Sequence, residues 1–456
     1  MLFSVKKRLI NDFFDRRFSK IFIGSIWAFG GQVISTIFAM LSSIIIARFY
    51  GADVLGIVAI VQSSLMLLIV LTVLGTNTSL LRLIPEHITK FSFTSAYKVF
   101  CTAQWVVVFS SLLFSVIIFF SAEIIAETIF SKPNLHFYFT AISVFLVTCS
   151  LGQVSMQAVR GLQLIKFFAF MQALPQIGNL ILLISLSLLF FYPTIPVFSL
   201  LAGYSLMGIF GVFFVHYTFK HRVHNDDVIQ LVTTCKLLGI SLPMLLTHAM
   251  YFFIAQIGIL ILGIYVNEEE VGYYSIAVKL AGLTGFILNA VNAMVGPKFS
   301  ELFNSGNINE LFFVARQSAK LIFFTTTPIL IILIFGGQFI LKFIFGNAFV
   351  TAYPALVFLV FGQFVNSVSG SSGLFMNMTG NQNIFSIFVS FAAIANVILC
   401  FILIPHFGIY GAGISSAICL SSWNIMVLIY IYIKYQNTTG YLPIPSSFIN
   451  QIRFRR

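Results

Sequence analysis

The 456-residue chain is 59% hydrophobic and only 8% charged, with a mean hydropathy of +1.01. A soluble domain carries about 25% charged residues, so this composition excludes a water-soluble enzyme or binding module and reads as a polytopic membrane protein. A net charge of +12 would suit nucleic acid, but the basic residues cluster in short loops between apolar runs, as cytoplasmic loops do, and no nucleic-acid partner is expected.

A basic stretch (Lys6, Lys7, Arg8, Arg16, Arg17, Lys20) precedes an apolar run far longer than a signal core, so no cleavable signal is expected. About twelve helical spans follow by the window of roughly 20 residues that a bilayer demands. They are predicted near Ile21–Ala47, Val54–Gly75, Phe100–Phe120, Leu135–Ala158, Phe167–Tyr192 and Ile195–Phe219. A polar inner loop (Lys220 to Asp227) separates these from Cys235–Tyr265, Val271–Val295, Leu321–Ile340, Tyr353–Met376, Ile384–Ile404 and Ile409–Ile433. Outer gaps hold only Arg48, Lys132 and Lys342, while inner segments hold Arg82, Lys90, Lys98, Arg160, Lys166, Lys220, Arg222, Lys236, Lys298, Arg316 and Lys320. That imbalance places both termini inside. The five cysteines (Cys101, Cys149, Cys235, Cys400, Cys419) form no CxxC or Cys/His spacing, so neither a disulfide framework nor a metal site is expected, and no cofactor.

The chain repeats itself. Tyr50 to Gly56 (YGADVLG) parallels Asn267 to Gly272 (NEEEVG), and Pro85 parallels Pro297. Ile129-Phe130 with Asn134 parallels Ile344 to Asn347, and Arg160 to Gln163 parallels Thr379 to Gln382. Two six-helix bundles of like orientation follow, a parallel repeat about an axis along the membrane normal, of the kind that usually encloses a substrate cavity. The expected organisation is a bundle over 1–220, an inter-bundle loop over 221–234, a second bundle over 235–440 and a basic cytoplasmic tail over 441–456.

Lys279 is the one formal charge placed well inside a span, ~12 Å along a helix starting near Val271. Gly272, Ser275, Gly282, Phe286 and Asn289 fall on its face, so it looks into the protein. A cation at such depth is costly and functional by default, although a long side chain also snorkels to an interface. Gln32 sits on a small-residue face of the first span (Gly24, Ala28, Gly31, Ser35, Ala39, Ser42), which reads first as close helix packing and second as a polar cavity wall. Asn77, Asn289 and Asn292 belong to a larger set of intramembrane amides that glue helices or wet an interior for a sugar-sized passenger. His216 and His248 have no spaced partners and read as structural. Every acidic residue lies at a span end or in a loop, so a carboxylate that carries a proton or sodium ion is not expected. A mid-span cation among neutral amides suits an anionic substrate. No nucleophile–base set, phosphate loop or Asp-rich metal motif appears, so no enzyme is expected.

In chain order, Ala47-Arg48-Phe49-Tyr50-Gly51, Val271 to Leu280 (VGYYSIAVKL), Gly296 to Leu302 (GPKFSEL), Phe345-Gly346-Asn347, Thr379-Gly380-Asn381 and Ile404 to Gly413 (IPHFGIYGAG) resemble the Wzx-type O-antigen flippases. These are polysaccharide transporters of the multidrug/oligosaccharidyl-lipid/polysaccharide superfamily. The resemblance implies a MATE-like fold in the bacterial inner membrane. It implies alternating-access transfer of an oligosaccharide repeat unit on undecaprenyl pyrophosphate from the cytoplasmic to the periplasmic leaflet, toward O-antigen and lipopolysaccharide. It further implies membrane lipid, a polysaccharide polymerase and a chain-length regulator as partners. Cations in the first, second and eighth helices are implied to hold the pyrophosphate, which carries over to Arg48, Arg82 and Lys279. For Arg48 and Arg82, at helix ends, interface anchoring is the commoner role. Where the family often has an acidic residue in the seventh span, this chain has Gln256. Two other readings stay open: a cation-coupled multidrug exporter of the same fold, weakened by the missing carboxylate, and a membrane glycosyltransferase or polymerase, weakened by short outer loops.

Overall fold

The computed structural model describes residues 16–222 and 233–441, which are helical with no strand among them. The helices are α1 (Arg16–Ile45), α2 (Gly51–Val73), α3 (Thr76–Lys90), α4 (Phe93–Ile124), α5 (His136–Gly161), α6 (Ile165–Leu189), α7 (Ile195–Lys220) and α8 (Thr234–Tyr265). They continue with α9 (Glu268–Gly282), α10 (Gly285–Asn304), α11 (Ile308–Phe335), α12 (Gly337–Ile340), α13 (Tyr353–Ser369), α14 (Ser372–Met378) and α15 (Gln382–Tyr435). Helix is the only choice available to these apolar runs, because lipid offers no partner to backbone N–H and C=O groups. Most of the predicted inter-bundle loop, the N-terminal basic residues up to 15 and nearly all of the predicted C-terminal tail lie outside the described residues.

Among the described residues ten stretches are long and apolar enough to cross a membrane, against about twelve predicted. Two are double length, Ile26–Val73 with 48 residues and Gln382–Tyr435 with 54. A straight helix of the latter length would run about 81 Å, more than twice a bilayer core. Each contains a break, at Gly51 (φ 93°) and at Gly408 (φ 53°), so these two hold four of the predicted crossings.

Two predicted spans are not continuous helices. Val271–Val295 is not one helix: α9 stops at Gly282, and the turn to α10 is closed by Leu283 N–H to Leu280 O (3.2 Å) and Thr284 N–H to Ala281 O (3.4 Å). The face of Gly272, Ser275 and Lys279 therefore does not run on to Phe286 and Asn289. Tyr353–Met376 is likewise two pieces, α13 and α14, parted at Gly370. Its φ of 62° is a left-handed value that a side chain resists.

The chain forms two compact units. The first holds residues up to Phe252 together with Leu262–Gly272; the second holds Phe253–Ile261 and everything from Tyr273. In the first unit α6 packs on α1 and α7, and α5 packs on α4 and α7. Gly31 of α1 lies so close to α6 that an added Cβ would stand 2.5 Å from Ala169 O. Polar pairs tie α2 to α5 and α7 to both α5 and α6: Thr72 to Ser150 (2.8 Å), Thr148 to Ser205 (2.8 Å) and Ser199 to Asn179 (2.9 Å). In the second unit α15 packs on α13 and α14, and α11 on α10 and α13.

The repeat is visible in local geometry. The wide turn Ile125–Ile129 after α4 recurs as Leu341–Phe345 after α12, an interval of 216 residues from 125 to 341. The same interval separates Gly56 from Gly272, and these two glycines sit together within the first unit. A Cβ on Gly56 would strike Glu268 O and stand 3.0 Å from Gly272 N; one on Gly272 would strike Ala52 O and stand 3.2 Å from Gly56 N. The contact is thus reciprocal. Beside it Lys132, in the α4–α5 connection, donates to Val266 O (2.7 Å) and pairs with Glu268 at 3.6 Å. Burial pushes the Lys132 ammonium below its ordinary value, and Glu268 works against that shift.

Basic residues assigned to the inner side lie over aromatic rings. In the first unit Arg160 covers Phe168 (5.3 Å), Lys166 covers Trp27 (5.4 Å) and Arg222 covers Phe93 (5.7 Å). In the second Lys320 covers Phe324 (6.0 Å) and Lys434 covers Tyr435 (5.5 Å). Rings with a cation on top are what a membrane interface favours.

Two predictions follow from this architecture. Reporter fusions at Asp53, Pro193 and Glu269 are expected to read on the outer side of the membrane, and fusions at Lys90 and Asn304 on the cytoplasmic side; one outer site reading inside would overturn the topology. Gly56→Leu or Gly272→Leu forces a side chain against backbone. Overpacking of about 1–3 kcal/mol should lower the melting temperature of the detergent-purified protein by roughly 2–10 °C, measured by fluorescence-detected size exclusion after heating.

Candidate functional site

Lys279 lies in the last turn of α9, half-buried, four residues before the turn that starts α10. The last carbonyls of a helix carry partial negative charge, so a cation is favoured there before any ligand is considered. The Thr284 hydroxyl donates to Ala281 O (2.9 Å) and satisfies one of those carbonyls. Tyr274, on the same helix, is buried and donates to Ala412 O (3.4 Å) and meets the Ser416 hydroxyl (3.1 Å), which anchors α9 on α15. The ammonium is therefore presented from a held helix end, inside a stretch able to cross a membrane.

Beyond the turn, Asn289 of α10 is exposed. Asn292 is half-buried, and its Oδ1 makes no hydrogen bond to the protein. An amide oxygen left so is costly unless a ligand or water meets it.

The first unit has a helix break of its own, at the end of a membrane-crossing stretch. α2 ends at Val73, Leu74 and Gly75 take φ of 50° and 74°, and α3 begins at Thr76. Asn77 stands in the first turn of α3 and its Oδ1 accepts the Thr78 N–H (2.9 Å). The Thr78 hydroxyl meets His248 Nε2, and Ser241 Oγ donates to Ser79 Oγ (2.8 Å), so α8 lies directly over this break. Sequence reading gave His248 no partner. The only signal was that a polar side chain inside an apolar run must be satisfied somewhere. His216 is also engaged, between the Tyr97 hydroxyl (2.9 Å) and Gln104 Oε1 (2.9 Å).

The remaining candidates hold local positions. Gln32 accepts from Gln172 Nε2 across the α1–α6 contact, as helix-packing amides do. Arg48 is exposed in the turn Ile46–Tyr50. Arg82 is exposed on α3 and pairs with Glu86 one turn on, at 3.8 Å. Lys90 bonds the same carboxylate at 2.8 Å and is the main reason it lies below its ordinary value. Among the described residues every carboxylate falls in or near the first or last turn of its element, as Asp53, Glu268 to Glu270 and Glu310 do. Among the described residues no group of three His, Cys, Asp or Glu converges to hold a metal.

Solved structures share this fold. The lipid II flippase MurJ in an inward closed conformation superposes with a TM-score of 0.73 at 16% identity, over 88% of this chain and 86% of that one. An inward-facing multidrug resistance MATE family transporter of the MOP superfamily gives 0.71 at 14% identity, over 88% and 94%. Identities this low speak for the fold alone. By sequence, an uncharacterised membrane protein of Methanocaldococcus jannaschii is 26% identical over 182 residues, 38% of this chain and 36% of its own length. The probable low-salt glycan biosynthesis flippase Agl15 of Haloferax volcanii is 24% identical over 168 residues, 37% and 35%. The chain thus matches little more than a third of the length of either relative. A family model described as "Polysaccharide biosynthesis protein" matches residues 88–354, more than half of the chain, and the chain belongs to that family: it is a multi-pass, MATE-like membrane protein of polysaccharide biosynthesis.

Proposed function

We propose that the protein is a flippase for oligosaccharide repeat units carried on undecaprenyl pyrophosphate, acting in the bacterial inner membrane to supply O-antigen or a related surface polysaccharide. Lys279 is proposed to hold the diphosphate of the carrier. The observation that carries this reading is the position of that ammonium, half-buried at the broken end of α9 within a membrane-crossing stretch. An anion is the natural ligand of a cation held where water is scarce. Asn289 and Asn292, on the helix that follows, would offer amides to sugar hydroxyls.

Family membership supports a polysaccharide pathway, and the flippase names of MurJ and Agl15 support translocation of a lipid-linked glycan. A multidrug exporter shares the fold. The described spans lack the mid-depth carboxylate that a proton- or sodium-coupled exporter would use in the ordinary way, which favours the flippase. Arg48, exposed in the turn Ile46–Tyr50, and Arg82, exposed midway along α3 rather than at the helix end expected, would steer the anionic carrier toward the protein at most. A polymerase and a chain-length regulator are the proposed working partners.

A phosphate–ammonium bond in a partly desolvated place is worth ~1.5–3 kcal/mol. Lys279→Ala should accordingly reduce long-chain surface polysaccharide about ten- to a hundredfold in a complemented deletion strain. Lys279→Arg should retain most of it, since a phosphate accepts either cation, and Lys279→Glu should be worst. Polysaccharide is read on gels with protein level matched by blot. Normal export by Lys279→Ala at matched level would end the reading.

A further inference from the structure

Within the second unit, one buried amide holds a cation that no carboxylate meets. The two arms of α15 on either side of Gly408 bring its ends together, with Asn381 just before its first residue and Lys434 in its last turn. The Lys434 ammonium donates to Asn381 Oδ1 (2.6 Å), and the Tyr430 hydroxyl donates to the same oxygen (3.3 Å). Asn381 Nδ2 donates to Thr379 O (3.1 Å), Thr379 Oγ1 (2.8 Å) and the Tyr435 hydroxyl (3.2 Å). Asn381 is 5% exposed, whereas Lys434 is exposed. The ammonium also lies over the rings of Tyr435 (5.5 Å) and Tyr430 (5.8 Å). Among the described residues Lys434 makes no ion pair, whereas Arg82, Lys90, Lys132 and Lys298 each reach a carboxylate. No Asp or Glu follows Glu310 in the chain.

A lysine that only anchors a helix at an interface needs nothing but water and stays mobile. Lys434 is fixed instead, by an amide that Thr379 and two tyrosines hold in turn. Carbonyls at the end of α15 favour a cation there, but their charge is partial and does not neutralise it. One of its three N–H groups goes to Asn381, and the others remain to give. The Tyr435 proton remains as well, because that oxygen serves Asn381 as an acceptor. A fixed cation beside a hydroxyl donor is preorganised for a compact anion. Gln382–Tyr435 is a membrane-crossing stretch, so its joined ends lie at the membrane surface, and Ile387 and Ile433 on its two arms are 64% and 50% exposed. The anion abundant at that depth is the phosphodiester of a phospholipid, and basic sites between helices on the cytoplasmic side take anionic headgroups. A zwitterionic headgroup brings its own ammonium and matches less well. We propose that Lys434, with Tyr435 and Asn381, binds the phosphate of an anionic phospholipid of the inner leaflet. The site does not depend on what the protein transports.

Native mass spectrometry of the full-length protein, released from detergent with added phosphatidylglycerol or phosphatidylcholine, tests this. The unaltered protein should retain phosphatidylglycerol in preference to phosphatidylcholine. Lys434→Gln keeps an N–H for Asn381 and loses the charge, and should lower retained phosphatidylglycerol about threefold or more. Tyr435→Phe should lower it less. Lys320→Gln, which removes another exposed cation of the same unit, should leave it unchanged, and each variant is checked for a monodisperse elution profile. Equal retention of the two lipids by the unaltered protein, or equal loss in Lys320→Gln and Lys434→Gln, means surface charge alone and overturns the proposal. Displacement of the lipid by equimolar inorganic phosphate would show a free-phosphate site, and displacement by equimolar undecaprenyl phosphate a carrier site; either result overturns it. Surface polysaccharide in cells is scored separately, so loss of this site and loss of the flippase reading are distinct results.

Discussion

A helix that stops inside an apolar layer strands carbonyls at one end and amides at the next start, and lipid satisfies neither. This constraint governs where the protein keeps its polar groups. Three described helices stop at a short break and a new helix follows, at Leu74–Gly75, at Leu283–Thr284 and at Gly370, the second of these inside one membrane-crossing stretch. Each interruption has gathered polar side chains. His248 and Ser241 meet the first, Lys279 and Thr284 the second, and Asn366, Asn424, Ser371 and Ser372 the third. Chemistry and backbone topology are therefore one feature here.

Continuous helices do the opposite work. α4 presents Trp105, Phe109 and Phe120 outward, each more than 70% exposed, a surface only lipid would cover. Its inward polar groups are spent on neighbours, as with Ser110, whose hydroxyl donates to Thr72 O. Amides inside unbroken helices behave likewise. Gln32 and Gln172 join α1 to α6, and Gln176 donates to the Tyr204 hydroxyl at 3.4 Å. Such pairs contribute modestly, but in lipid the alternative is an unmet dipole.

Much of this was legible in the sequence. Apolar runs and loop cations gave the class and the spans, because hydrophobicity and charge are local properties, and short motifs recurring at a near-constant interval gave the repeat. Lys279 stood out for the same reason: a charge among Val278, Leu280 and Ala281 is visible without coordinates. The breaks were not legible. Gly282-Leu283-Thr284 and Ser369-Gly370-Ser371 are short, uncharged interruptions in windows whose average stays apolar, so a span is counted as whole across them. Partnerships such as Thr78 with His248, 170 positions apart, need the fold. So does the return of Tyr441 onto Val368, since nothing in the Thr438-Thr439-Gly440 stretch announces its destination.

The reciprocal contact at Gly56 and Gly272 has an ancestry written into it. Ala52 meets Gly272 just as Glu268 meets Gly56, each residue taking the role that its counterpart takes across the repeat. Self-complementary contact of this kind is the mark of an isologous homodimer interface. A gene duplication that joined two copies end to end would preserve it as an internal contact, with both glycines retained because neither backbone could retreat from the other. Since fusion the copies have been free to diverge elsewhere: the position 216 residues after Asp53 holds Glu269, still acidic, while the one 216 before Lys279 holds Ser63. On that view the cation is an acquisition of one copy.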